Sequence, residues 1–113
     1  MKRHEEAIIY ALNEIKISKI APYVLDVILF GSCARKEEKY ESDIDLLLVL
    51  NEKAKEQEYH KAIILLKGSV SSPEINAAEV DLKITFNNNW QSSNNTIYNC
   101  IKKDGIRIWK KGE

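Results

Sequence analysis

Residues 29–50 read LFGSCARKEEKYESDIDLLLVL, and this stretch decides both the fold and the candidate site. An apolar run, VLDVILF, stops at the pair Gly31 and Ser32. Ten residues then separate Ser32 from Asp43, and Asp43 and Asp45 open a second apolar run, IDLLLVL. Burying one unpaired carboxylate costs free energy, and two neighbouring carboxylates repel each other. Two aspartates at the mouth of a buried strand therefore require a compensating partner.

The whole chain has the length and composition of one small globular domain, which we expect to span residues 1–113. It contains 44% hydrophobic residues and equal numbers of basic and acidic residues, 17 of each. Zero net charge gives no strong signal for nucleic-acid binding through bulk electrostatics. No stretch approaches the length of a membrane span, and the two cysteines lack zinc-binding spacing. We therefore expect a cytoplasmic protein without a membrane partner.

Hydrophobic patterning predicts that helices and strands alternate along the chain. Helices are predicted over residues 4–20, 52–67 and 96–104, with one or two further helical turns at SCARKE and with Gly68 and Gly105 as stops. Strands are predicted over residues 24–30, 44–50, 79–86 and 106–110. This alternation predicts an α/β (α+β) class with a small mixed sheet flanked by helices.

The spacing of Asp43 and Asp45 predicts a metal site. Residues two apart on a strand point to the same face and lie about 6.5 to 7 Å apart. Carboxylate oxygens suit a hard divalent cation such as Mg²⁺, which completes its coordination with water and substrate phosphates. Two such ions would clamp the attacking and leaving oxygens of a phosphoryl-type displacement.

Asp81 is the candidate for a third carboxylate. The period-two run EVDLKITF places it on the face opposite the apolar side chains of that strand. If this strand pairs beside residues 44–50, Asp81 can join Asp43 and Asp45 as a metal ligand. It could also accept the proton of an incoming hydroxyl.

Gly31 and Ser32 are candidates for binding phosphate. A strand that ends in glycine and continues into a helical turn offers free backbone N–H groups to an anion. Glycine allows close approach of the backbone, and the Ser32 hydroxyl can add a hydrogen bond. Arg35 lies one turn further on and could support either the phosphates or the local fold.

The stretch LFGSCARKEEKYESDIDLLLVL resembles the signature of the nucleotidyltransferase superfamily that includes DNA polymerase β. That signature has Gly-Ser, ten residues and Asp-x-Asp within a typical FGSxARG…SDIDLxV pattern. The chain is most similar to the minimal nucleotidyltransferases, which have about this length. One departure is Lys36, which stands where the family usually has a turn glycine and counts against full activity, though not against the fold.

The resemblance implies a fold, an activity and a partner. Gly31 and Ser32 would hold the triphosphate, Asp43 and Asp45 would bind two Mg²⁺ ions, and Asp81 would help to activate the acceptor hydroxyl. The reaction would transfer a nucleoside monophosphate from an NTP, with ATP favoured, as an EC 2.7.7 enzyme. Minimal members resemble antitoxins of two-gene modules whose partner is a helical HEPN toxin, to which the antitoxin adds AMP at a tyrosine.

Two other functions stay open from the sequence. The chain could be a binding module that neutralises a partner by contact, with catalysis secondary or lost. It could also be a nucleotidyltransferase for a small molecule, although such enzymes carry an additional substrate domain. Self-association is a further possibility, because a small domain with two tryptophans can expose an apolar face.

Several conspicuous side chains are interpreted as structural. Cys33 is a small filler rather than a nucleophile, since no basic partner is tied to its turn. Cys100 is predicted to lie in the core, and His4 and His60 are predicted to lie on the surface. For the tryptophans, Trp109 is predicted to pack in the core, and Trp90 is left open between the core and a partner surface.

Overall fold

A computed structural model describes residues 2–112, and its elements follow the predicted alternation. The helices are α1 (Lys2–Ile17), α2 (His60–Ser69), α3 (Asn89–Ser92) and α4 (Thr96–Asp104). The strands are β1 (Val24–Phe30), β2 (Ile44–Leu50), β3 (Val80–Phe86) and β4 (Ile106–Lys110). Short 3₁₀ turns occupy Ala21–Tyr23, Glu52–Lys55 and Gln57–Tyr59.

The four strands form one mixed sheet in the order β3-β2-β1-β4. β1 runs antiparallel to both of its neighbours, β2 and β4, whereas β2 and β3 run parallel. This arrangement confirms the predicted class. It also brings the carboxyl end of β1 and the amino ends of β2 and β3 to the same end of the sheet.

The first face of the sheet is covered by α1 and α2. In α1, Ala7, Ala11 and Ile15 are buried at intervals of four residues, which is the spacing of one helical stripe. They pack with Leu66 of α2 against the even-numbered side chains of β2 and β3. Small alanines let α1 lie close to the sheet.

The second face is covered by α3 and α4. Trp90 of α3 and Ile101 of α4 pack against Ile28, Leu47 and neighbouring apolar side chains of β1 and β2. Leu46 to Leu50 of β2 is fully buried, as predicted for a central strand covered on both sides. The structure therefore assigns Trp90 to the core, and the predicted core packing of Trp109 is confirmed on the first face.

The predicted helix over residues 52–67 is wrong in its first half. Two 3₁₀ turns occupy that half, and the extended backbone of Glu56 (φ −59°, ψ 145°) separates them. The Asn51 side chain caps the first turn by accepting a hydrogen bond from the Lys53 N–H. Gly68 does not end the helix either, because α2 continues to Ser69.

Two side-chain predictions are also wrong. Cys100 is exposed, because α4 turns the adjacent Ile101 toward the sheet and leaves Cys100 on its outer side. His4 is buried, with only 1% of its surface exposed, whereas His60 is exposed as predicted. His4 belongs to the same α1 stripe as Ala7 and Ala11, and this position carries it under the loop that precedes β2.

Candidate functional site

Sheet pairing brings three of the predicted residues together. Asp45 of β2 is the direct register partner of Asp81 in parallel β3. On its other side Asp45 is the register partner of Phe30, the residue before Gly31. Neighbouring strands lie about 4.8 Å apart, and register partners point to the same face. The two carboxylates therefore stand side by side next to the turn that begins at Gly31.

Gly31 must be glycine at this position. Its backbone has φ +77°, a left-handed conformation that residues with a side chain rarely adopt. A Cβ atom added here would also overlap the carboxylate of Asp45. The glycine thus lets the Asp45 side chain lie directly against the backbone at the end of β1.

The SCARKE segment forms a single turn rather than a regular helix. The N–H groups of Arg35, Lys36 and Glu37 donate to the carbonyls of Gly31, Cys33 and Ser32, respectively. The last two hydrogen bonds have the pattern by which a helix ends at a residue in the left-handed conformation. Lys36 is that residue, with φ +58°.

This turn uses the N–H groups of residues 35–37 as hydrogen-bond donors. The N–H groups of residues 32–34 do not donate to any carbonyl of the turn. These are the groups predicted to bind phosphate.

Burial and like charge act together on Asp45. Burial raises the pKa of its carboxyl group above the ordinary value, and the neighbouring charges of Asp81 and Asp43 raise it further. The cations Lys83 and Arg35 oppose that rise. A divalent cation at this end of the sheet would relieve the same repulsion.

The donor set fits a magnesium ion held jointly by protein and substrate. Asp43 is exposed at the entrance to β2, Asp45 is half-buried and Asp81 is exposed. Among residues 2–112, no three His, Cys, Asp or Glu side chains are placed so that they could hold a metal ion by themselves. Mg²⁺ commonly takes one or two protein carboxylates and completes its coordination with phosphates and water, and this site offers that arrangement.

Arg35 and Cys33 flank the turn in different roles. The Arg35 side chain is 40% exposed and lies 3.4 Å from Glu37 and 4.0 Å from Asp104 of α4. Cys33 is buried, and its thiol lies 3.7 Å from the backbone carbonyl of Asp43. Burial, followed by the charges of Glu38 and Asp45, raises the pKa of the Cys33 thiol, which agrees with its interpretation as a structural residue.

A clamp formed by Arg3 and His4 was missed from the sequence. The Arg3 guanidinium donates to the backbone carbonyls of Asn76 (2.6 Å), Tyr40 (2.5 Å) and Ala77 (3.3 Å). His4 Nε2 donates to the carbonyl of Ser42, 2.9 Å away and next to Asp43 in the chain. The first turn of α1 thus fixes the loop before Asp43. The helical spacing of His4 relative to Ala7 and Ala11 was the signal that could have found it.

Lys83 was also missed. It lies two residues after Asp81 on β3 and is the register partner of Leu47, so it shares the face of the candidate carboxylates. The period-two pattern already applied to Asp81 would have placed it there.

Comparison with known proteins identifies the family. The sequence profile of the Nucleotidyltransferase domain family matches residues 11–104. The chain belongs to this family. The matched range contains the Gly31 turn and all three candidate carboxylates. Membership indicates a transferase of the EC 2.7.7 kind, and such enzymes generally use a nucleoside triphosphate and a divalent metal ion.

Solved structures share the fold of this family member. A proposed nucleotidyltransferase from Sulfolobus solfataricus is 20% identical, with a TM-score of 0.63, 97% of this chain covered and 86% of the other. A toxin–antitoxin structure with AMP-PNP is 20% identical, with a TM-score of 0.59, 96% of this chain covered and 74% of the other. A mutant of the toxin–antitoxin MntA–HpeT is 18% identical, with a TM-score of 0.56 and the same coverages.

A search of curated proteins finds no match. Separately, no helix within residues 2–112 is long and apolar enough to cross a membrane.

Proposed function

We propose that this chain transfers a nucleoside monophosphate, AMP from ATP, to a hydroxyl group of a partner protein. The observation that carries the proposal is the direct pairing of Asp45 with Asp81 beside the Gly31 turn. This pairing, together with the Gly31 turn at the same end of the sheet, supports roles for Asp45 and Asp81 as metal ligands and for Asp81 as the proton acceptor. Family membership supports the general class of reaction.

Each part of the site has a role in the proposed reaction. The backbone N–H groups after Gly31 and the Ser32 hydroxyl bind the triphosphate, and Arg35 supports it. Asp43 and Asp45, with Asp81, would hold two Mg²⁺ ions. When bound, these ions supply charge neutralisation at the phosphates.

The proposed transfer is a single displacement at the α-phosphorus of ATP. The acceptor oxygen forms a bond to the α-phosphorus of ATP while the bond from that phosphorus to the pyrophosphate oxygen breaks. Asp81 accepts the hydroxyl proton, and pyrophosphate leaves with the bonding electron pair. Asp45 is half-buried beside Gly31 and Phe30.

The proposed partner is a HEPN-type toxin, modified at a tyrosine. Two of the similar solved structures are toxin–antitoxin structures, and one of these contains AMP-PNP. The other is a mutant in which two aspartates one residue apart are replaced by glutamate, the same spacing as Asp43 and Asp45 here. We place the reaction in the cytoplasm, where ATP is available and Cys33 and Cys100 would stay reduced.

Label transfer in a host lysate with Mg²⁺ tests the activity. Wild type should label one protein band from α-labelled ATP and none from γ-labelled ATP. The Asp43→Asn/Asp45→Asn double variant should lose at least about 10²-fold of this transfer, because it removes the charge that binds the metal. The matched control is Glu56→Gln/Glu58→Gln, which neutralises two exposed carboxylates with the same spacing outside the site. Transfer near the wild-type level in the Asp43/Asp45 variant would refute the proposal.

A contact-only antitoxin is the second candidate. The left-handed Lys36, in the position where the turn favours glycine, supports it, since a strained phosphate turn would weaken catalysis. Under this alternative, the Asp43→Asn/Asp45→Asn variant would still bind and neutralise the partner in a pulldown and a growth assay. Loss of neutralisation with retained binding would exclude it.

A further inference from the structure

Strand β3 forms an open edge of the sheet. It pairs with β2 on one side, and within residues 2–112 no strand pairs with its other side. The Ile44 N–H donates to the Glu79 carbonyl, and the Asn87 N–H donates to the Leu50 carbonyl, both at 2.8 Å. These two hydrogen bonds establish which backbone groups of β3 face β2 and which face outward. Odd-numbered residues direct their backbone groups toward β2, and even-numbered residues direct theirs outward.

The start of this edge is already occupied. The Ser71 hydroxyl accepts a hydrogen bond from the Val80 N–H at 2.9 Å and donates to the Val80 carbonyl at 3.4 Å. The outward N–H and C=O groups further along this edge belong to Leu82, which is buried with 5% of its surface exposed, and to the half-buried Ile84 and Phe86. Such a row of backbone groups is a template for pairing with another chain.

A groove of about 350 Å³ follows the same edge. Residues 81–84 of β3 line it on one side. Lys67 of α2 and three residues around the start of α4, namely Asn95, Ile97 and Tyr98, complete the lining. Asp81 is therefore both a candidate proton acceptor and part of the groove.

We propose that the acceptor protein enters as an extended segment that adds to the outer edge of β3 over Leu82–Phe86. This inference rests on the proposed function and names how its substrate is held. An added strand would lie about 4.8 Å from β3, and its residue beside Asp81 would point to the same face. A hydroxyl side chain there would lie next to the Asp81 carboxylate. Backbone pairing supplies affinity, and side-chain pockets supply specificity.

Apart from the candidate proton acceptor Asp81, the charged residues that line the groove are Lys67 and Lys83, and these two favour carboxylates on the incoming segment. Lys67 is exposed and Lys83 is half-buried, so both can meet carboxylates of the incoming strand. Ile97, with 42% of its surface exposed, offers an apolar contact. Symmetric pairing with a second copy would instead bring Lys67 and Lys83 of both copies to one edge, where like charges repel.

The substitution Ile84→Pro tests the proposed pairing of the acceptor segment with β3. Once label transfer has identified the acceptor, short synthetic peptides that span its labelled hydroxyl serve as probes. Ile84→Pro removes an outward N–H without removing a bond to β2, so peptide binding and transfer should fall by about tenfold or more. Ile84→Ala is the matched control, because it loses the side-chain packing and keeps the N–H. Circular dichroism checks that both variants are folded.

A charge variant tests the same groove without altering the strand. Lys67→Glu should weaken binding of the acceptor peptide several-fold, whereas Lys61→Glu, an exposed change on the same helix, should not. In parallel, peptide binding should slow the amide hydrogen exchange of Leu82, Ile84 and Phe86 in the wild-type protein.

The outcomes separate this inference from the proposed function. If wild type labels no protein, both are refuted. If wild type labels an acceptor and neither Ile84→Pro nor Lys67→Glu reduces transfer or peptide binding, only strand addition is refuted. A wild-type dimer in sedimentation that dissociates in Ile84→Pro would assign the edge to a second copy and also overturn the inference.

Discussion

At the scale of single residues, Lys36 is the clearest conflict between sequence and backbone. Its φ of +58° lies in the left-handed region, which costs a residue with a Cβ about 1–2 kcal/mol. A glycine would avoid this cost. Its greater conformational freedom in the unfolded chain would, however, lower the free energy of unfolding by about 0.5–1 kcal/mol. The difference still favours glycine at the end of this turn.

Lys36→Gly should therefore raise the free energy of unfolding by roughly 0.5–1 kcal/mol, which is a few degrees in melting temperature for a chain of this size. Denaturant melts of the two proteins measure the change. Lys36→Ala is the control, since it removes the charge and keeps the Cβ atom. An equal gain in both variants would assign the effect to charge rather than to backbone conformation.

Asp45 makes a second prediction at this scale, with a defined pH dependence. Its pKa is raised in the folded protein, so the folded state keeps the proton to a higher pH than the unfolded chain does. Ionisation of Asp45 therefore lowers the free energy of unfolding. This cost is absent below pH 3.8, the ordinary pKa of an aspartate, and complete above the raised pKa of Asp45. Asp45→Asn should stabilise the metal-free protein at pH 7, and the gain should vanish as the pH falls toward 4.

Because Asp45 is partly solvated, screening limits this gain to the order of 1–3 °C in melting temperature. Adding Mg²⁺ with a non-hydrolysable ATP analogue should stabilise wild type and leave Asp45→Asn unchanged. Glu58→Gln, an exposed change outside the site, controls for net charge. A metal-free Asp45→Asn variant that melts below wild type at pH 7 would contradict the assigned electrostatic strain.

At the scale of elements, the first turn of α1 positions the site. Arg3 joins this helix to the backbone of residues 40, 76 and 77, and its guanidinium lies 4.3 Å from the centre of the Tyr40 ring. His4 holds Ser42, the residue before Asp43. The loop that carries Asp43 and the loop that leads into β3 are thereby attached to one rigid support.

Arg3→Met keeps most of the side-chain stem and removes all three hydrogen bonds, so it should lower the free energy of unfolding by about 1–3 kcal/mol. Nucleotidyl transfer should fall by more than the fraction of protein that is unfolded at the assay temperature, because the Asp43 loop loses its support. Lys2→Met, on the exposed side of the same turn, is the control. Unchanged transfer in a destabilised Arg3→Met protein would limit the clamp to a role in stability.

At the scale of the whole molecule, parallel pairing of β2 with β3 creates the site. Asp45 and Asp81 are 36 positions apart in the chain and become direct neighbours in the sheet. The same sheet order leaves β3 at an edge and buries β2 between two helical layers. One topology therefore sets both the pairing of Asp45 with Asp81 and the groove along β3.

The predicted strands reproduce this architecture because residues 24–30 and 44–50 are apolar apart from one aspartate each, Asp26 and Asp45, and residues 80–86 alternate with period two. These are local patterns that burial imposes directly on the sequence. Residues 52–59 were wrongly predicted as helix because their composition favours helices, while the extended Glu56 depends on how that segment returns to the sheet. Cys100 was misplaced for a related reason, since one helical step of 100° decides which of two neighbours is buried.

By itself, the sequence determined the alternation of elements, the glycine turn, the Asp-x-Asp strand and the resemblance to nucleotidyltransferases, because each is written within a short stretch of chain. Only the tertiary structure decided that Asp81 lies opposite Asp45, that Arg3 and His4 hold the loops around the site, and that no second strand within residues 2–112 pairs with the outer side of β3. Those features join residues far apart in the chain, and strand order and helix docking, rather than local periodicity, bring them into contact.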